Sequence, residues 1–203
     1  MKLGILGGSF NPIHYGHLLM AEWCREAAQL DQVWFMPVAT APHKRAVAAP
    51  GEVRAALIEA AIADNPAFQA SRLELDRGGL SYTVDTLRAL ARQRPEAECF
   101  LLLGADMLAD LPNWREPEEI CRLASILAVR RSDAPEPDFE PLRTLVAGDR
   151  LEHLRQQQVA MPLVDLSSTE IRRRVAAGQS LRYQTPPAVI ELIARHGLYR
   201  GSS

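Results

Sequence analysis

The chain of 203 residues carries 23 Lys and Arg against 25 Asp and Glu, a formal net charge of −2, with 47% hydrophobic and 24% charged residues. This size suits one domain, residues 1–203, with a single sizeable core, and the composition excludes intrinsic disorder. The near-neutral balance gives no electrostatic footprint for nucleic acid, and no apolar run reaches the about 18 residues of a membrane span. With no leader pattern after Met1, a cytoplasmic protein without membrane or nucleic-acid partners is expected; a homo-oligomer is neither indicated nor excluded. Cys24, Cys99 and Cys121 form no CxxC pair, which argues against a disulfide framework and a cysteine zinc site.

In chain order, Lys2–Leu6 reads as a strand, a Gly-Gly turn follows, and a helix runs from about Tyr15 to Gln29. Gln32–Val38 reads as a second strand, Gly51–Asp64 as a helix, Gln69–Leu75 as a third strand and Tyr82–Arg94 as a helix. Cys99–Leu103 has the continuous apolar character of a strand covered on both faces. One or two short helices, a strand at Ser125–Val129, a Pro-rich loop at Ser132–Pro141 and a helix to about Gln157 come next. A strand near Leu163–Leu166 and helices at Thr169–Ala177 and Pro187–His196 complete the pattern. Strands separated by helix-length connections predict an α/β fold: a doubly wound parallel sheet, Rossmann-like, with a helical C-terminal segment. Ligands of such sheets bind beyond the carboxyl ends of the strands, so the loops after the strands are where function is sought.

The first of those loops is GGSFNPIHYGH, Gly7 to His17. Gly7 and Gly8 permit a close backbone approach that a β-carbon would block. His14 and His17, three apart at a helix start, share a face, and the helix N–H groups beside them favour an anion. Two imidazoles there can donate to phosphate oxygens as charge redistributes. A plain tight turn and a zinc pair are the competing readings, and no third metal ligand stands at a supporting spacing. His14-Tyr15-Gly16-His17 resembles the HxGH signature of the nucleotidyltransferase superfamily, in which Gly16 would let a phosphate lie against the backbone.

Leu166-Ser167-Ser168-Thr169-Glu170-Ile171-Arg172 resembles that superfamily's second signature, ISSTxIR. Ser167 and Glu170 fit a capping box, so a helix starts here, with Arg172 one turn inside and Arg173 and Arg174 as surface charges. An ordinary capped helix is the alternative. Ala41-Pro42-His43-Lys44 is similar to the PPHK segment of bacterial nicotinate-mononucleotide adenylyltransferases, with Ala41 in place of a proline. Ser81-Tyr82-Thr83-Val84-Asp85-Thr86-Leu87 resembles their SYTxDTL, and Gly104-Ala105-Asp106 their GAD. Trp114 stands at the position of their aromatic platform, and Gly197-Leu198-Tyr199 resembles their closing GLY. The bland readings are a solvated Lys44, a plain N-cap at Thr83, an Asx turn at Asp106 and a core Trp114.

The resemblance implies an enzyme that joins ATP and nicotinate mononucleotide to give nicotinate adenine dinucleotide and pyrophosphate, in NAD biosynthesis. It implies His17, His14, Lys44 and Arg172 as catalytic residues. ATP would be bound by Gly7, Gly8, Ser9, Phe10, His14, His17, Gly104, Asp106, Ser168, Thr169 and Arg172. The mononucleotide would meet Lys44, Tyr82, Thr83 and Trp114. Mg²⁺ would come with ATP, without a protein ligand. The rival readings are a pantetheine-phosphate adenylyltransferase, a cytidylyltransferase and a nucleotide-binding module without turnover. His14 and the chain length disfavour the first. The Lys44, Thr83 and Trp114 set disfavours the second, and both histidines with Arg172 disfavour the third.

Overall fold

A computed structural model describes residues 1–40, 49–131 and 136–200. The elements run β1 (Lys2–Gly8), α1 (Tyr15–Ala27), β2 (Gln32–Pro37), α2 (Gly51–Ile62), β3 (Phe68–Ala70), α3 (Leu73–Arg77), α4 (Thr83–Gln93) and β4 (Glu98–Gly104). They continue through α5 (Ala105–Asp110), α6 (Pro117–Leu123), β5 (Ser125–Arg131), α7 (Gly148–Gln156), β6 (Val159–Met161), α8 (Ser168–Ala176) and α9 (Pro187–Arg195). The strands form one six-stranded sheet in the order β3-β2-β1-β4-β5-β6. β1 pairs in parallel with β4, β4 with β5 and β5 with β6. The order reverses between β1 and β4, which is the doubly wound arrangement the alternating pattern predicts.

By contacts the chain divides into two units. The first comprises Met1–Leu6, Met20–Trp34 and Tyr82–Leu163; the second comprises Gly7–Leu19, Phe35–Ser81 and Val164–Ser203. The core of the first is built on Leu3 and Ile5, on Phe100 to Leu103, and on Ile126 to Val129, all buried. These continuous apolar runs are what a parallel strand with both faces covered requires. In the second unit α2 packs on α9, and Phe10, Ile13, Phe35, Leu57, Ile58, Val189 and Ile193 are buried.

Two sequence expectations are corrected. The third strand is only Phe68–Ala70, and its expected continuation is the helix Leu73–Arg77. Only Arg72 to Leu75 alternates polar and apolar residues like a strand, and the Ser71 N–H still bonds to β2, at Phe35 O and 2.9 Å. The Asp76 N–H then closes a helical turn on Arg72 O at 2.8 Å, and Gly78, at φ 67°, ends it. The last strand is Val159–Met161, not Leu163–Leu166. Pro162 follows it directly and has no N–H to extend the ladder, and Leu163 is left 49% exposed. Of the Pro-rich loop, residues 132–135 lie outside the described residues.

Candidate active site

The loop leaving β1 is shaped by what presses on its glycines and by what holds its carbonyls. A β-carbon on Gly8 would sit 3.1 Å from the Phe10 ring, and one on Gly16 would sit 3.0 Å from His14 Nδ1. Gly16 thus packs closely against the His14 ring, and a side chain there would press on that ring. Gly7 has nothing within 4 Å of an added β-carbon and is exposed, which leaves its backbone open to a ligand.

Four carbonyls of the loop accept bonds from four side chains distant in sequence. Ser9 O accepts from Arg54 Nη1 at 2.8 Å, Asn11 O from Arg172 Nη1 at 2.8 Å, Pro12 O from Ser168 Oγ at 2.8 Å and Ile13 O from Thr185 Oγ1 at 2.7 Å. The Tyr199 hydroxyl adds a bond to Asn11 Oδ1 at 2.7 Å. The second signature thus closes directly on the first: Ser168 and Arg172 both clasp the loop that carries the histidines. Arg172 also donates to Thr169 Oγ1 at 3.2 Å.

The two imidazoles lie 3.8 Å apart, centroid to centroid, at 32°. The His14 N–H donates to His17 Nδ1 at 3.3 Å. That bond makes Nδ1 the acceptor of a neutral ring and puts the proton on Nε2, a directed donor. The Phe10 ring meets His17 edge-on at 5.0 Å, so Phe10 acts through packing; it is 1% exposed. Burial lowers the His14 pKa to about 4. Burial, and then the neighbouring His14, hold His17 well below the usual histidine range. Both rings are neutral at pH 7. Among the described residues His14 Nδ1 is buried without a hydrogen-bond partner, and a polar atom left so is costly unless a ligand uses it.

The capping box at α8 forms by half. The Glu170 N–H donates to Ser167 Oγ at 3.1 Å, but the Glu170 carboxylate pairs with Arg173 at 2.7 Å instead of returning to the cap. Arg173 is thereby an exposed surface charge, as its position suggests.

Tyr82, Thr83, Gly104, Asp106 and Trp114 belong to the first unit. Tyr82 is the N-cap of α4 and makes no side-chain cap bond among the described residues, so Thr83 lies inside the helix; the Asp85 and Thr86 N–H groups donate to Tyr82 O at 3.1 and 3.2 Å, which leaves those of Thr83 and Val84 as the uncapped start of the helix. The Tyr82 ring carries the Arg115 guanidinium at 4.8 Å, and Arg115 also lies 3.6 Å from Asp85. Trp114 is partly exposed, and its indole N–H donates to Asp110 Oδ2 at 3.1 Å. Asp106 is exposed in the first turn after β4, and a β-carbon on Gly104 would lie 3.0 Å from its Oδ1. Lys44 lies outside the described residues. Arg54, Thr185 and Arg115 carry no motif of their own in the sequence, because each has partners in distant segments; Asp110 meets Trp114 four residues on, and Tyr199, the end of the Gly197-Leu198-Tyr199 motif, meets Asn11.

The cytidylyltransferase-like family matches residues 5–174, a span that takes in both signatures. A relative in Thermus thermophilus, named a probable nicotinate-nucleotide adenylyltransferase, is 44% identical, covering 98% of this chain and all of its own length. One in Roseiflexus, of the same name, is 46% identical with 98% of each chain covered. The chain belongs to the nicotinate-nucleotide adenylyltransferases of the cytidylyltransferase-like family. The fold agrees: a Plasmodium falciparum nicotinic acid mononucleotide adenylyltransferase complexed with NaAD superposes with a TM-score of 0.73 at 16% identity, covering 98% of this chain and 97% of that one.

Proposed function

We propose that the chain transfers the adenylyl group of ATP to nicotinate mononucleotide, giving nicotinate adenine dinucleotide and pyrophosphate. A 5′-phosphate oxygen of the mononucleotide attacks the α-phosphorus in line; the new P–O bond forms as the bond to the bridging oxygen breaks and pyrophosphate leaves. The attacking group is already anionic, so no protein nucleophile is needed, and catalysis is positioning with charge stabilisation.

The observation that carries the reading is the bond from the His14 N–H to His17 Nδ1, which leaves Nε2–H as a fixed donor toward a phosphate oxygen. In this reading His17 meets the α-phosphate, His14 and the open backbone at Gly7 and Gly8 orient the phosphates, and Arg172 adds charge with the N–H groups that begin α8. Lys44 is assigned to the same phosphates through its motif. Gly104 and Asp106 receive the ribose, and Thr83 with Tyr82 and Trp114 receive the nicotinate ring. We take residues 1–203 as one nucleotidyltransferase domain.

Among the described residues no three His, Cys, Asp or Glu stand together to hold a metal. ATP is taken to enter as its Mg²⁺ complex, the ion held by phosphate oxygens and water. No helix among the described residues is long and apolar enough to cross a membrane, and we assign the enzyme to the cytoplasm.

Mixing ATP, Mg²⁺ and nicotinate mononucleotide should release pyrophosphate; no release would end the reading. The uncapped N–H groups at the start of α4 favour a carboxylate over a neutral amide. kcat/KM should therefore favour the acid over the amide mononucleotide by about tenfold or more, and equal values would remove this assignment.

A further inference from the structure

Arg54 is 1% exposed in the middle of an otherwise apolar helix face that includes Ala55, Leu57 and Ile58. A guanidinium taken so far from water must be hydrogen-bonded to be tolerated. Here Nε donates to Ala49 O at 3.1 Å, Nη1 to Ser9 O at 2.8 Å and Nη2 to Val38 O at 2.6 Å. The Glu74 carboxylate and the Tyr199 phenol supply the nearby charge and polarity. The three acceptors belong to three separate segments: the entry to α2, the glycine turn after β1, and the residue following β2.

A trans peptide sets its N–H opposite its carbonyl. Holding Ser9 O therefore fixes the direction of the Phe10 N–H and the start of the residue whose ring braces His17 at 5.0 Å. Holding Val38 O likewise aims the Ala39 N–H, which donates to Ser81 Oγ at 2.9 Å. Val38 and Ala49 bracket, in sequence, the stretch that contains Lys44. All three bonds leave one planar fork in different directions, a geometry that a compact ammonium cannot reproduce.

We infer that Arg54 is a positioning residue for the phosphate end of the site: it fixes the glycine turn and the two residues bracketing the Lys44 stretch, and does not itself meet phosphate. The inference rests on the adenylyltransferase reading above.

The test uses full-length Arg54→Lys, with amide hydrogen exchange and steady-state kinetics on the folded protein. The Phe10 and Ala39 amides should exchange on the order of tenfold faster than in the wild type while those of β4 and β5 stay unchanged. kcat should fall by about 10²-fold, the scale of a misplaced reacting group, with KM for the mononucleotide within about threefold. Unchanged exchange and kcat would overturn the inference. So would a lowered Tm with unaltered kcat per folded molecule, which marks a merely structural residue, or a raised KM for ATP at unchanged kcat, which marks a phosphate ligand. A measurement on the wild type stands independently of how the variant folds. The Arg54 side-chain N–H signals should be slow to exchange, and adding ATP with Mg²⁺ should not slow them further; a gain in protection would make Arg54 a ligand. Wild-type protein that releases no pyrophosphate would remove the functional reading alone, and the exchange data would still decide what Arg54 holds.

Discussion

The loop from Gly7 to His17 and the segment from Tyr82 to Glu116 are held in opposite ways. Around the first, buried or half-buried side chains bond to backbone carbonyls: Arg54 to Ser9, Arg172 to Asn11, Ser168 to Pro12, Thr185 to Ile13. Around the second, partly exposed side chains bond to one another: Arg88 to Glu116 and Glu119, Arg115 to Asp85, Trp114 to Asp110. Surface ion pairs contribute about 0–1 kcal/mol each and leave their side chains adaptable. A carbonyl bonded by a buried donor fixes a peptide plane, and breaking that bond leaves a polar group without a partner at about 1–3 kcal/mol. The difference matches two tasks. Donors to a developing oxyanion must be in place before reaction, whereas a flat ring can be accepted by side chains that adjust.

The contrast predicts that substitutions in the first region act on kcat and those in the second on KM. The largest effect should come from His17→Ala, which removes the Nε2–H donor. kcat should fall by about 10² or more, as for the loss of one oxyanion donor. A loss below tenfold in a folded variant would take His17 out of the chemistry and erase the contrast at its strongest point.

Trp114→Ala sharpens the other side. Stacking of a ring on an aromatic side chain contributes about 1–3 kcal/mol, so KM for the mononucleotide should rise about tenfold with kcat changed less than about threefold. A fall in kcat with KM unmoved would show the indole serving the chemical step, and the division between the two regions would fail.

How much of this was legible in the sequence follows the range of the interactions. The helix start at Tyr15, the cap at Ser167 and the continuous apolar strand Cys99–Leu103 are local patterns and stand where expected, whereas Gly7 and Gly8, expected as a turn, extend β1. The third strand is shorter than expected because Arg72 to Leu75 alternates like a strand, while the helix that forms there depends on where the pairing with β2 ends. Gly16 was assigned to the ligand because the neighbour it makes room for, the His14 ring, is known only once the turn is folded. Arg54 leaves no motif in the sequence, since its partners are carbonyls from three segments. Only the histidines could be read directly, and even there the tautomer of His17 needed the position of a backbone N–H.

Thr185 offers the smallest and most discriminating test. It is 1% exposed, and its hydroxyl donates to Ile13 O on one side of the peptide whose other side presents the His14 N–H to His17 Nδ1. Donation to a carbonyl polarises its peptide and strengthens the bond its N–H makes in turn. Thr185→Val keeps the shape and removes the hydroxyl, leaving Ile13 O without this donor, so the variant should lose about 1–3 kcal/mol of stability. The orientation of the His17 ring should loosen, with kcat down about three- to fivefold and both KM values unchanged, the pattern of an interaction felt only in the transition state. Thr185→Ser restores the donor while deleting the methyl, so it should recover kcat and not the packing. If valine costs stability but leaves kcat intact, the peptide between Ile13 and His14 is held well enough by the rest of the clasp, and the control of His17 lies with Phe10 and Gly16 instead.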